Sequence, residues 1–71
     1  MNPVNPRKLL NSKWTAVSPV DREKHFVVSS VEFDDEGRVV SCLIEAVLSK
    51  RERPIDWREL KDESKWLQGW K

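Results

Sequence analysis

The sequence predicts an α+β fold that is mostly β: an antiparallel meander of three to four strands, with short helical segments at the N- and C-termini. Three observations carry this expectation. Two long runs rich in apolar and β-branched residues, 25–33 and 38–48, flank the turn-forming quartet Asp34-Asp35-Glu36-Gly37. A shorter run, Trp14-Thr15-Ala16-Val17, has the aromatic and β-branched composition that suits a pleated, half-buried surface. The helix-start signals lie towards the two ends, at Asn5-Pro6 and at Asp62-Glu63.

Residues 1–12 read as a mobile end that becomes ordered, with 1–6 the mobile part. Asn5 can cap a helical turn, and Pro6 suits its first position because the missing N–H is not needed there. Leu9 and Leu10 give that turn something to bury. The strand at 14–17 is expected to stop at Ser18-Pro19, and Val20 to Lys24 to form a polar connection with room for a helical turn.

In the central hairpin, Gly37 closes the loop, because glycine takes a positive φ without a Cβ clash. If Phe33 faces Arg38, then Val31 faces Val40, Ser29 faces Cys42, Val27 faces Ile44 and His25 faces Ala46. That face is mostly apolar. The opposite face, which pairs Val28 with Leu43 and Phe26 with Glu45, is mixed. A single-residue bulge would exchange the two faces. Along the second strand Val40, Cys42, Ile44, Ala46 and Leu48 form an unbroken apolar line, while Val39, Leu43 and Val47 add apolar groups on the other side. A strand apolar on both sides needs cover on both. The N-terminal turn, the C-terminal segment or another subunit could supply it.

Ser49 to Arg53 is a charged loop. Residues 54–58 admit two readings: Ile55 and Trp57 alternate as in a fourth strand, while Asp56-x-x-Glu59 resembles a capping box that opens a helix. The strand is the expected one. Asp62 then caps a short helix through Gln68, with Gly69 as its stop.

A chain of 71 residues has room for one domain, and a core of that size needs reinforcement. Cys42 is the only cysteine and His25 the only histidine, so neither an internal disulfide nor a Cys/His metal site is expected. The four tryptophans supply the alternative, since each buried aromatic removes roughly 150–250 Å² from water. The expected core is Trp14, Val27, Val31, Val40, Cys42, Ile44, Ala46, Leu48, Trp57 and Trp66. No leader-like stretch is visible, and apolar runs are far shorter than a membrane helix needs. With a lone cysteine, this points to the cytoplasm. The net charge is +1, without the overall basic character of a dedicated nucleic-acid binder, although charge is locally uneven.

The residues that could carry function are few. Lys50, Arg51, Arg53 and Arg58 could gather at one end of a sheet, where guanidinium forks suit phosphate. Arg7, Lys8 and Lys13 could extend such a patch. The plainer reading is a solvated connection that pairs with Glu52 and Glu59. Among the tryptophans, Trp14 and Trp57 read as core anchors, and Trp70 reads as partly exposed, free to stack on a base or grip a partner. Asp34-Asp35-Glu36 lacks the spaced oxygen ligands of a calcium loop and reads as a hairpin tip. In the register above, His25 and Cys42 share a face but lie roughly 13–14 Å apart along the sheet, too far for a catalytic hydrogen bond. There is no P-loop, G-x-G-x-x-G, G-x-S-x-G, C-x-x-C or H-E-x-x-H. The expectation is therefore a non-enzymatic binding module without cofactor or metal. It would contact RNA, DNA or a ribonucleoprotein through Lys50, Arg51, Arg53, Arg58 and Trp70. The alternative is a protein–protein adaptor or homodimer built on the two-sided apolar sheet. An enzyme comes third, with no constellation to support it.

Residues 8–17 (KLLNSKWTAV), 45–51 (EAVLSKR), 57–62 (WRELKD) and the closing Trp66-Leu67-Gln68-Gly69-Trp70 resemble the family of small tryptophan-rich bacterial proteins of unknown function. The resemblance spans nearly the whole chain. It implies a bacterial, cytoplasmic protein and brings no known activity, cofactor or binding residue with it.

Overall fold

The computed structural model describes residues 1–71. Strands form where β-branched and aromatic residues concentrate: β1 (Lys13–Val20), β2 (Glu23–Phe33), β3 (Val39–Ala46), β4 (Glu52–Pro54) and β5 (Trp66–Gln68). All neighbours pair antiparallel in one open sheet of order β4-β3-β2-β1-β5. The first four strands are a meander. The chain then leaves the β4 edge, passes through a 3-10 turn (Trp57–Lys61) and returns as β5 to pair with β1 at the opposite edge. The sheet thus has five strands, against the three to four expected, and the helical pieces are only two 3-10 turns, Pro6–Lys8 and Trp57–Lys61.

The extra strand replaces the helix expected after Asp62. A helix that short gains little in water, because nucleation costs more than its few bonds return. The free edge of β1 instead offers Trp66, Leu67 and Gln68 a ladder opposite Ala16, Thr15 and Trp14. At residues 54–59 the capping reading holds. Asp56 accepts a hydrogen bond from the Arg58 N–H at 3.0 Å and opens the 3-10 turn, while strand pairing stops at Pro54.

Ser18-Pro19 does not end β1. Thr15 pairs with His25 and Val20 with Glu23, so Ala16 to Pro19 stand opposite Lys24 alone, an irregularity that accommodates a proline unable to donate to a ladder. The polar connection is a two-residue hairpin turn. Asp21 and Arg22 both have positive φ, 56° and 65°, as the type I′ geometry requires. Arg22 holds this conformation against its own Cβ. Arg22→Gly is therefore expected to stabilise the fold by about 0.5–1 kcal/mol. A thermal melt should show this as a rise of a few degrees, and an unchanged or lower midpoint would refute the strain.

Two bulges set the faces of the central hairpin. Val28 pairs with Ile44 but Ser30 with Leu43, which leaves Ser29 as an extra residue. Glu32 pairs with Ser41 but Phe33 with Val39, which leaves Val40 extra on the other strand. The inner face therefore takes Phe26 and Val28, then Val31 beyond the bulge, opposite Cys42, Ile44 and Ala46. This corrects the expected core. Val27 lies on the outer face and is only half-buried. Val40 is turned out by its bulge and is 62% exposed. Leu48 falls beyond the end of β3, in the loop to β4, and is 69% exposed. Val31 and Trp57 are half-buried and pack against the core from its rim. Trp14, Cys42, Ile44, Ala46 and Trp66 are buried within it.

The inner face is sealed by residues outside the expected core. Leu9 follows the first 3-10 turn, and Ile55 and Leu60 come from the crossing segment. Phe26 stands edge-on to Trp66 at 5.2 Å between ring centroids. The first residues, expected to be mobile, are tied to this cover. The Asn2 side-chain amide donates to the carbonyls of Leu60 at 3.0 Å and Trp66 at 2.7 Å, its N–H donates to the Lys61 carbonyl, and Gln68 donates to the Pro3 carbonyl. These carbonyls lie where the 3-10 turn and β5 leave acceptors unpaired, and a short amide side chain can reach two at once.

Candidate functional site

Strand alternation places Lys13, Thr15, His25 and Val27 on the outer face, between the buried Trp14, Phe26 and Val28. Gly69, at φ 79°, turns the chain back over this face. Its N–H donates to the Lys13 carbonyl at 2.8 Å, and its carbonyl accepts from the Thr15 hydroxyl at 2.7 Å. The Lys71 N–H donates to the same hydroxyl at 2.9 Å. Thr15 is a buried polar residue because this loop covers it and satisfies it.

Trp70 is consequently held at the outer face. Its indole N–H donates to the Phe26 carbonyl at 3.0 Å, which fixes one edge of the ring. Lys13 Nζ stands 4.8 Å from the ring centroid, and the His25 ring lies 6.0 Å away, tilted by 41°. The indole is 46% exposed. It is an aromatic surface held by one hydrogen bond, with the Lys13 cation over one side of the ring.

Of the four basic residues, Arg51 and Arg53 line one hollow with Glu23, while Arg58 lines another. Arg51 is held by Glu23 through two hydrogen bonds, Nε at 3.1 Å and Nη2 at 2.7 Å, and Ser49 donates to the same carboxylate. These bonds hold the Glu23 carboxyl below its usual range. Arg58 grips Asp56 in the same forked way, at 3.1 Å on each arm, and lowers that carboxyl too. Arg58 belongs to a hollow of about 540 Å³ shared with Arg38 and Trp57. Arg53 pairs with Ile44 across β3–β4, so its side chain leaves on the inner-face side of the sheet. Lys50 caps the β3–β4 loop with φ 63° and makes no ion pair. The acids expected to neutralise the loop have other partners: Glu52 accepts from Ser29, and Glu59 pairs with Lys65 at 3.5 Å.

From the sequence, Lys13 is named only as an extension of the basic patch and His25 only as a distant partner of Cys42, and neither is placed beside Trp70. Their signal was available, since Lys13 precedes a tryptophan that had to point inward. What could not be read was that the C-terminal turn would lay Trp70 over them.

No nucleophile–base pair is assembled. The bulged register puts His25 on the outer face and Cys42 on the inner one. Burial first, then the nearby Asp56 carboxylate, pushes the Cys42 thiol up, so it stays protonated at neutral pH. No group of three His, Cys, Asp or Glu side chains could hold a metal ion. No helix is long and apolar enough to cross a membrane. Of the tryptophans, Trp14 donates to the Ser12 hydroxyl at 2.9 Å, whereas the buried Trp66 N–H has no acceptor, a deficit of about 1–3 kcal/mol.

Fold and site together define a small antiparallel-sheet domain, anchored by tryptophans on its inner face and displaying one tryptophan on its outer face. Residues 12–71 match the family described as tryptophan-rich protein (DUF2389), and the chain belongs to that family, whose function is unknown. No curated protein and no solved structure shows significant similarity to it.

Proposed function

We propose that this chain is a non-enzymatic, cytoplasmic binding module that meets single-stranded RNA or DNA, free or within a ribonucleoprotein, on the outer face of its sheet. The observation that carries the reading is Trp70: nearly half exposed, fixed by its bond to the Phe26 carbonyl, and carrying the Lys13 cation over one side of its ring. An aromatic ring held in place stacks on a base without losing rotamer freedom at the moment of binding. Lys13 beside the ring, and Lys50 at the end of the sheet, supply cations for the phosphate backbone. Arg51 contributes less than its charge suggests, because Glu23 already occupies its fork.

Anisotropy titration of a labelled mixed-sequence RNA strand tests this. Trp70→Ala is expected to weaken binding by about 1–3 kcal/mol, roughly fivefold to 150-fold, while the variant stays folded with a melting midpoint lowered by its lost bond to Phe26. Added salt should weaken the parent protein's binding steeply. Absence of binding at low salt, or equal binding by the variant, would end the proposal.

One observation favours a second reading, a homodimer or protein adaptor. The outer face carries half-buried Val27, Leu43 and Val47, with exposed Leu67 on β5 and exposed Leu48 in the β3–β4 loop. Sedimentation across a concentration series separates the two, since a strict monomer at every concentration removes the dimer.

A further inference from the structure

On the inner side of the sheet, where β1 becomes irregular, a hollow of about 430 Å³ opens between β1, β4 and the segment leading into β5. Its apolar walls are Ala16, Phe26 and Trp66. Two acids stand at its rim, and both are engaged: Glu23 by Arg51 and Ser49, and Glu59 by Lys65. Two residues of its lining carry a donor with no acceptor in the chain. One is the Arg53 guanidinium, which makes neither an ion pair nor a hydrogen bond, whereas Arg38, Arg51 and Arg58 are each paired. The other is the indole N–H of Trp66, a residue only 4% exposed. The hollow thus has apolar walls and one guanidinium, that of Arg53, whose hydrogen-bonding fork is unoccupied.

We infer that this hollow is a binding site for an oxyanion carried on an apolar body, such as a carboxylate whose fork meets Arg53 while its hydrocarbon or aromatic part lies against Phe26 and Trp66. Guanidinium and carboxylate match in shape, so the pair forms two parallel hydrogen bonds. The volume suits a group of amino-acid to small-ligand size. The same chemistry is offered by a free small carboxylate or by the carboxyl end of a peptide that finishes in an apolar residue. The site lies on the opposite face from Trp70 and stands independently of the nucleic-acid reading.

Indole N–H resonances of uniformly ¹⁵N-labelled protein provide the test, with the Trp66 signal identified from Trp66→Phe. The probes are 3-phenylpropionate, its uncharged amide, and a short peptide ending in leucine with a free or an amidated C-terminus. The carboxylates are expected to move the Trp66 signal in a saturating way and to leave the Trp70 signal in place, while the amides do neither. Arg53→Gln should weaken the response about tenfold or more, and Arg53→Lys, which keeps the charge but loses the fork, by less. Saturation by the free-ended peptide alone identifies a chain terminus as the source, and saturation by 3-phenylpropionate as well identifies a free carboxylate as sufficient. A Trp66 signal that ignores both carboxylates, follows the amides equally, or responds unchanged in Arg53→Gln overturns the site.

Discussion

Trp14→Ala is expected to remove about 3–5 kcal/mol, a large part of the stability of the fold. Trp14 is 2% exposed and stands at the middle of the inner face, opposite Phe26 on β2 and Gln68 on β5. Removing a buried tryptophan side chain costs about 3–5 kcal/mol, because the cavity adds to the lost transfer energy. A chain of this length has a total stability of only roughly 4–11 kcal/mol. The indole also organises its surroundings, since its N–H donates to Ser12, whose hydroxyl donates to the Leu9 carbonyl at 2.6 Å. Trp14→Phe keeps much of the ring and loses that bond, so it should cost about 1–2 kcal/mol. Urea titration followed by circular dichroism measures both. A midpoint unchanged in Trp14→Ala would mean that the ring is not what holds the sheet together.

Leu60→Ala should be nearly as damaging, at about 2–5 kcal/mol. This leucine belongs to a 3-10 turn with little stability of its own, yet its side chain is fully buried. It is the peg by which the crossing segment closes over the inner face. Its carbonyl also receives the Asn2 amide, so loosening the turn should release the N-terminal residues with it. The expected result is a lowered urea midpoint, together with fast exchange of the Asn2 N–H, which in the parent donates to Lys61. A loss below about 0.5 kcal/mol would place Leu60 among ordinary surface positions and show that the cover contributes little.

Much of the sheet was legible because its signals are local. The loop at Asp34–Gly37 announced itself by composition: the Asp34 carboxylate accepts from the Glu36 and Arg38 N–H groups, both at 2.9 Å, and Gly37 takes φ 80°. These bonds hold the Asp34 carboxyl below its ordinary range. The cap at Asn5, which accepts from the Arg7 N–H, is equally local. The turn at Asp21-Arg22 was not legible, because Asp-Arg has none of the glycine or asparagine that normally marks a left-handed pair. Here the pairing of β1 with β2 imposes a conformation that the residues themselves disfavour.

The candidate site was half legible. That Trp70 would be exposed followed from its position beyond the glycine that ends the last element. That it would lie beside Lys13 and His25, and away from Arg58, depends on β5 pairing with β1 at the far edge of the sheet. The basic loop shows the limit most clearly. Lys50, Arg51 and Arg53 are neighbours in sequence, yet Arg51 is spent on Glu23 of another strand and Arg53 turns to the inner side.

The sequence by itself determined the centres of the three long strands, where the central hairpin turns, and that tryptophan would do the work of a core too small to stand on aliphatic residues; it did not mark β4 or β5. Tertiary structure alone decided which side of each strand faces inward, which tryptophan is left in solvent, and which cations are free. The reason is geometric: strand residues alternate sides, so the single extra residues at Ser29 and Val40 invert the assignment beyond them. Only the matching strand, with its own inner-facing groups, selects where those residues fall.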